Sequence, residues 1–203
     1  MNLSLEAHRP HERKTTQAAE GLPRRRFTVA DVEAMVAAGL MDEDERVELI
    51  GGELVPMSPK GNHHEVLKSK LNIEWARRLP KGVLFTLETT FRLSEDTYLE
   101  PDFTFYEASV GLKGLNGGNA LLVVEIADSS FAYDIGRKAA LYASFGIREL
   151  WVIHAVRLET RIHREPGEGG YRHVEDFPAT ELLTPLLLPG LALRFADLPG
   201  DAD

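Results

Sequence analysis

The run from Ala120 to Ile126 limits this chain more than any other segment. It is almost continuously apolar, the pattern of a strand buried on both faces at the centre of a sheet. One carboxylate interrupts it, in Leu121-Leu122-Val123-Val124-Glu125-Ile126-Ala127. A charge in such a strand is costly unless it is ion-paired, hydrogen-bonded or metal-bound. Glu125 is therefore either a strand-exit residue that reaches water or part of a functional site.

The flanking patterns supply cover for such a strand. Thr28, with Asp31 three positions on, reads as the capping box of a short helix with Val32, Met35 and Val36 on one face, stopped by Gly39. Val47-Glu48-Leu49-Ile50 and Glu53-Leu54-Val55 flank Gly51-Gly52 as a tight hairpin. Asn62 reads as the cap of a second helix, with the stripe Leu67, Leu71, Trp75, Leu79, ended by Pro80-Lys81-Gly82. Strands are expected over Val83–Glu88, Thr89–Leu93 and Tyr98–Tyr106. Residues 111–119 lack the Gly-Lys-Ser/Thr ending of a phosphate loop and read as a glycine-rich linker. After the central run come a helix over Ala132–Phe145 and strands over Glu149–His154 and Arg157–Arg164. Tyr171–Phe177 then pairs with the last of these, and Thr184–Leu198 forms an irregular apolar cover. This order predicts a mixed sheet flanked by helices, an α/β or α+β domain.

At 203 residues the chain is long enough for one domain with its own core. Cysteine is absent, which excludes disulfides, thiolate chemistry, zinc ribbons and iron–sulfur clusters. No apolar run approaches the ~20 residues that cross a bilayer. Met1–Lys14 has no apolar core of a secretory signal, so a cytoplasmic protein is expected. Charge is uneven: residues 1–26 carry six basic and three acidic side chains, although the whole chain is at −9. This aperiodic segment, 1–26, is expected as a flexible basic arm before a single domain, 27–203. It is either a solvated terminus or a tail that touches phosphates. An acidic total does not announce a nucleic-acid binder, but a metal nuclease concentrates carboxylates at its centre.

Asp102 follows Pro101 at an expected edge or strand start, and by residue type alone it could be a simple turn residue. Asp134, Lys138 and Tyr142 recur at four-residue steps on one helix face. Asp134 and Lys138 could be only a surface ion pair. Because this helix follows the Glu125 strand directly, Lys138 could instead return over Glu125. Two carboxylates and a lysine suit Mg²⁺ or Mn²⁺ chemistry on a phosphodiester. Other readings fit less well. His64-Glu65-Val66-Leu67 is followed by Lys68 where a zinc-protease helix needs histidine. No Gly-x-Ser-x-Gly elbow or dinucleotide fingerprint is present. Paired-carboxylate glycosidase chemistry would leave Lys138 without a role.

With these residues in view, the chain resembles the Uma-two family of bacterial restriction-endonuclease-like proteins. The resemblance rests on Val47-Glu48-Leu49-Ile50-Gly51-Gly52-Glu53-Leu54, Pro101-Asp102, Val123-Val124-Glu125-Ile126, Asp134 through Lys138, and Tyr142 through Trp151. It implies a PD-(D/E)XK nuclease fold, with a mixed four-stranded core, helices on both faces and extra strands. Asp102 and Glu125 would be its metal ligands. Ala127 stands where that pattern has its lysine, and Lys138 is the expected replacement. Glu48 and His63 match positions that recur in the family and, with Tyr142, are expected to line the site. The resulting expectation is a Mg²⁺- or Mn²⁺-dependent DNA endonuclease, a homodimer suited to duplex symmetry. The alternatives are a catalytically inactive binding or oligomerisation module of the same fold, and a metal-dependent hydrolase of a small phosphorylated substrate.

Overall fold

The structure, a computed structural model, describes residues 25–199. Of the expected basic arm only Arg25 and Arg26 lie within the described residues. Arg26 Nε donates to the Gly51 carbonyl at 2.9 Å and its guanidinium pairs with Asp96.

Helix α1 (Val29–Ala37) begins with the expected box: Asp31 N–H donates to Thr28 Oγ1, and Thr28 N–H to the Asp31 carboxylate. Strands β1 (Val47–Ile50) and β2 (Glu53–Pro56) form the hairpin; Gly51 and Gly52 have φ of +58° and +83°, the left-handed values its two-residue turn requires. Helix α2 (Asn62–Arg78) is capped by Gly61 rather than Asn62, which is already its first helical residue. Then come β3 (Val83–Thr86), β4 (Phe91–Ser94), β5 (Thr97–Leu99), β6 (Phe103–Glu107) and the short helix α3 (Gly111–Gly114). The central strand β7 (Ala120–Ala127) leads into α4 (Phe131–Tyr133), a π-helical turn (Asp134–Lys138) and α5 (Ala139–Ser144). Strands β8 (Glu149–His154), β9 (Thr160–Gly167) and β10 (Gly170–Phe177) follow.

Two sheets result. The large one has the order β10-β9-β8-β7-β6-β3 and is mixed, with β7 and β8 its parallel pair. The small one has the order β2-β1-β5-β4. The four-stranded core implied by the resemblance is thus part of a six-stranded sheet. Leu122, Val124 and Ile126 face α2, where Leu67, Leu71 and Trp75 pack on Phe103 and Phe105. Trp75 meets those two rings edge-on, with centroids 5.0 and 5.3 Å away. The apolar tail covers the same face through Leu183, Leu188, Leu191, Leu193 and Phe195. Val123 and Ala127 face the other way, onto Ala139, Tyr142 and the small sheet's Phe91 and Leu99.

Two further expectations are corrected. Tyr98–Tyr106 is not one strand: β5 belongs to the small sheet and β6 to the large one. The chain crosses between them at Glu100-Pro101-Asp102, where proline lacks the N–H a continuous ladder needs. Residues 111–119 are not a loose linker. They contain α3 and an Asn116–Asn119 turn, and Gly117 lies against the backbone of Phe145. A Cβ at Gly117 would stand 1.9 Å from the Phe145 carbonyl oxygen. Gly117→Ala should therefore destabilise the protein by about 3 kcal/mol through overpacking, lowering the melting temperature by roughly 6–12 °C. Gly114→Ala, where a Cβ meets only Val110 Cγ1 at 3.4 Å, is the near-neutral control in the same thermal melt.

Candidate active site

The inter-sheet crossing and the exit of the central strand meet in a cleft of about 350 Å³. Asp102, just past the crossing, accepts a 2.6 Å hydrogen bond at Oδ2 from the N–H of Ile126. That backbone group belongs to the residue after Glu125, so one bond sets both carboxylates beside the same strand end. The other Asp102 oxygen, Oδ1, accepts from Lys60 Nζ at 2.8 Å and from His64 Nε2 at 2.9 Å. Lys60 also pairs with Glu88, which in turn holds Lys68 at 2.8 Å.

Glu125 points to the α5 side of β7. Its Oε1 accepts from Tyr142 Oη at 2.5 Å and from Lys138 Nζ at 2.9 Å. Lys138 reaches Glu48 Oε1 on β1 at 2.9 Å as well. Glu48 Oε1 further accepts from the N–H of Glu100 at 3.1 Å. One ammonium thus bridges a carboxylate from each sheet.

The helix that carries Lys138 is not a uniform α-helix as expected over Ala132–Phe145. The N–H of Ala139 reaches back five residues to the Asp134 carbonyl, the signature of a π-turn. In a regular α-helix each step of four residues overshoots one turn by about 40°. The wider π-turn reduces that drift, which brings Asp134, Lys138 and Tyr142 to one buried line. Asp134 itself is held by Ser130 Oγ at 2.6 Å.

The electrostatics follow from this crowding. Six carboxylates line the cleft (Glu48, Glu100, Asp102, Glu125, Asp128, Asp134) against two lysines, Lys60 and Lys138. Burial, opposed by Lys138 but reinforced by Asp102, Asp134 and Glu48, pushes the Glu125 carboxyl up to about 8. Burial also raises Asp102, but the His64 bond and Lys60 outweigh it and hold that carboxyl below its ordinary value. Burial lowers Lys138, yet Glu125, Glu48 and Asp134 outweigh it and keep the ammonium charged.

The structure brings Asp102, Glu125, Lys138, Glu48 and Tyr142 together. It leaves His63 exposed on α2 and places its neighbour His64 on Asp102 instead. With two adjacent histidines at a helix start, only the rotation of α2 against the large sheet decides which one turns inward. Lys60, His64 and Glu88 were not legible as site residues: Lys60 sits in an irregular loop and Glu88 between strands, with no periodicity to mark them.

A carboxyl raised in the folded state contributes stability fully below its unfolded value, near 4.5, and loses that contribution as pH rises through about 8. Glu125→Gln should therefore melt higher than the wild type at pH 8, with the gap closing towards pH 5. Thermal melts of both proteins from pH 5 to 9 measure this, and a gap independent of pH would contradict it.

Among curated proteins none matches this chain. Among solved structures, a crystal structure from Anabaena variabilis, described as "a putative nuclease belonging to DUF820", superposes with a TM-score of 0.64. It is 16% identical, and the match covers 84% of this chain and 96% of that one, so it establishes a shared fold. The Uma2 family, described as "Putative restriction endonuclease", matches residues 29–196, which contain every element from α1 to the apolar tail and the whole cleft. The chain belongs to the Uma2 family.

Proposed function

We propose that this protein is a metal-dependent DNA endonuclease that hydrolyses phosphodiester bonds in the cleft between its two sheets. The observation that carries this reading is the Asp102–Ile126 bond, which fixes two buried acids at one strand end in a cleft whose carboxylates outnumber its lysines. Membership of a family described as nucleases supports it.

The donor set fits a hard divalent cation, being carboxylate oxygen throughout. Among the described residues no three His, Asp or Glu side chains are grouped so as to hold a metal unaided. Mg²⁺ is commonly held by one or two carboxylates, with water and substrate phosphate completing its shell, so Asp102 and Glu125 suffice as protein ligands. Burial leads the climb of Glu125 to about 8, and Asp102, Asp134 and Glu48 add to it, a negative charge that a divalent cation would offset. When bound, Mg²⁺ or Mn²⁺ supplies Lewis-acid polarisation of a phosphodiester oxygen. Lys138, fixed between Glu125 and Glu48, orients the attacking water and meets the negative charge that develops on the phosphoryl oxygens. Tyr142 keeps Glu125 in place beneath it. A homodimer would present two such clefts to the two strands of a duplex.

The test is a cleavage screen over duplex, single-stranded and branched DNA with Mg²⁺ and with Mn²⁺. Asp102→Asn and Lys138→Met should each reduce metal-dependent cleavage by about a hundredfold or more. Binding to duplex should weaken steeply with salt. Cleavage unchanged in Asp102→Asn would remove that residue from the mechanism. Salt-dependent binding with no cleavage at all would support the inactive, partner-binding module instead.

A further inference from the structure

The cleft holds two lysines, and their surroundings differ in kind. Lys138 emerges from the π-turn and is enclosed by Glu48 and Glu125, both of which face the cleft. Lys60 stands on the irregular segment 57–61 at the rim and spans two acids of different location: Asp102 inside the cleft and Glu88 outside it.

At Asp102 one oxygen, Oδ1, is already fully occupied. Oδ2 takes the Ile126 N–H, while Oδ1 takes both Lys60 and His64, one donor for each lone pair. A divalent ion arriving at Oδ1 must evict one of these donors, because an ammonium and a metal ion on one oxygen repel each other strongly. Lys60 is the donor with somewhere to go. Its second partner, Glu88, is already in contact, and a flexible four-carbon stem lets the ammonium shift without being left unpaired. Glu88 is held there at a backbone cost: its φ is +47°, a left-handed value for a non-glycine residue, and its N–H is tied to the Pro101 carbonyl at 3.1 Å, next to Asp102.

We propose that Lys60 is an exchangeable counter-ion: it occupies Asp102 until a divalent cation displaces it onto Glu88, and so sets the affinity of the cleft for metal. Lys60 is a positioning residue in this scheme, and the inference rests on the metal-dependent reading above. It predicts that the apparent metal affinity is the intrinsic affinity reduced by competition with the protein's own ammonium.

The experiment is calorimetric titration of Mn²⁺ into the full chain, wild type against variants. Lys60→Met and the milder Lys60→Gln should each tighten Mn²⁺ binding, Lys60→Met by roughly tenfold, the strength of one charge-assisted hydrogen bond. Lys68→Met removes the same charge from Glu88 without touching Asp102 and should change the affinity far less. Glu88→Gln should weaken Mn²⁺ binding in the wild type, since Lys60 loses its second partner, and should have little effect when Lys60 is already Met. Unchanged or weaker binding in both Lys60 variants overturns the proposal. So does an equal gain in Lys68→Met, or an effect of Glu88→Gln that is the same in both backgrounds, because either would be charge acting through space. Glu125→Ala separates the two readings. If it abolishes Mn²⁺ binding while the Lys60 variants match the wild type, the metal site stands and the counter-ion falls. If neither the wild type nor any Lys60 variant binds Mn²⁺, both fall.

Discussion

A single ammonium group joins the two sheets. Lys138 touches Glu48 on the small sheet and Glu125 on the central strand of the large one, each at 2.9 Å. All three side chains are buried, so their charges are compensated chiefly by one another. Removing the ammonium from such a group typically costs about 3–5 kcal/mol, because the buried acids are left without a counter-charge. The rest of the site depends on this bridge. Tyr142 completes Glu125 from the same helix, and the Glu100 N–H completes Glu48 at the inter-sheet crossing. Lys138 and Tyr142, one α-helical turn apart, reach the same carboxylate oxygen.

Burial of a carboxylate does not by itself mark a site, and this chain contains the comparison. Glu149 on β8 is 0% exposed, against 5% for Glu125. Its Oε1 accepts two bonds from Arg164 and one from Trp151 Nε1, and its Oε2 accepts from the Leu186 N–H at 2.7 Å. That network fastens the apolar tail to the sheet, and Glu149 does not line the cleft. Glu125 differs because the groups around it include three further acids, Asp102, Asp134 and Glu48, that oppose its charge. A crowd of like charges facing a cleft, rather than burial alone, is what makes Glu125 the candidate of the two.

Much of the fold was readable from local patterns. The apolar run of β7, the Gly51-Gly52 turn and the Leu67-Leu71-Trp75 stripe each report which face of one element is buried, and each sits where its pattern indicates. Glu125 was legible for the same reason, as the one charge in an apolar run. Asp102 was visible only as a proline neighbour, and the break it marks between two sheets was not. The extended, aromatic-rich segment from Tyr98 to Tyr106 satisfies strand patterning throughout, although its halves pair with different partners. Pairing partners are chosen by the packing of distant segments, about which a periodicity carries no information.

The sequence by itself therefore determined most of the elements, the buried central strand and the acid within it, because hydrophobic periodicity and capping are local and act through one element at a time. Only the tertiary structure decided which side chains answer that acid. His64 rather than His63 faces Asp102 because of how α2 is rotated on the sheet; Lys60 reaches the cleft from a loop without pattern; Glu88 occupies a strained backbone position that no residue type announces. These are choices of distant partner. They are made when two sheets and a helix end close on one another and the charges they bury must find counter-charges within reach.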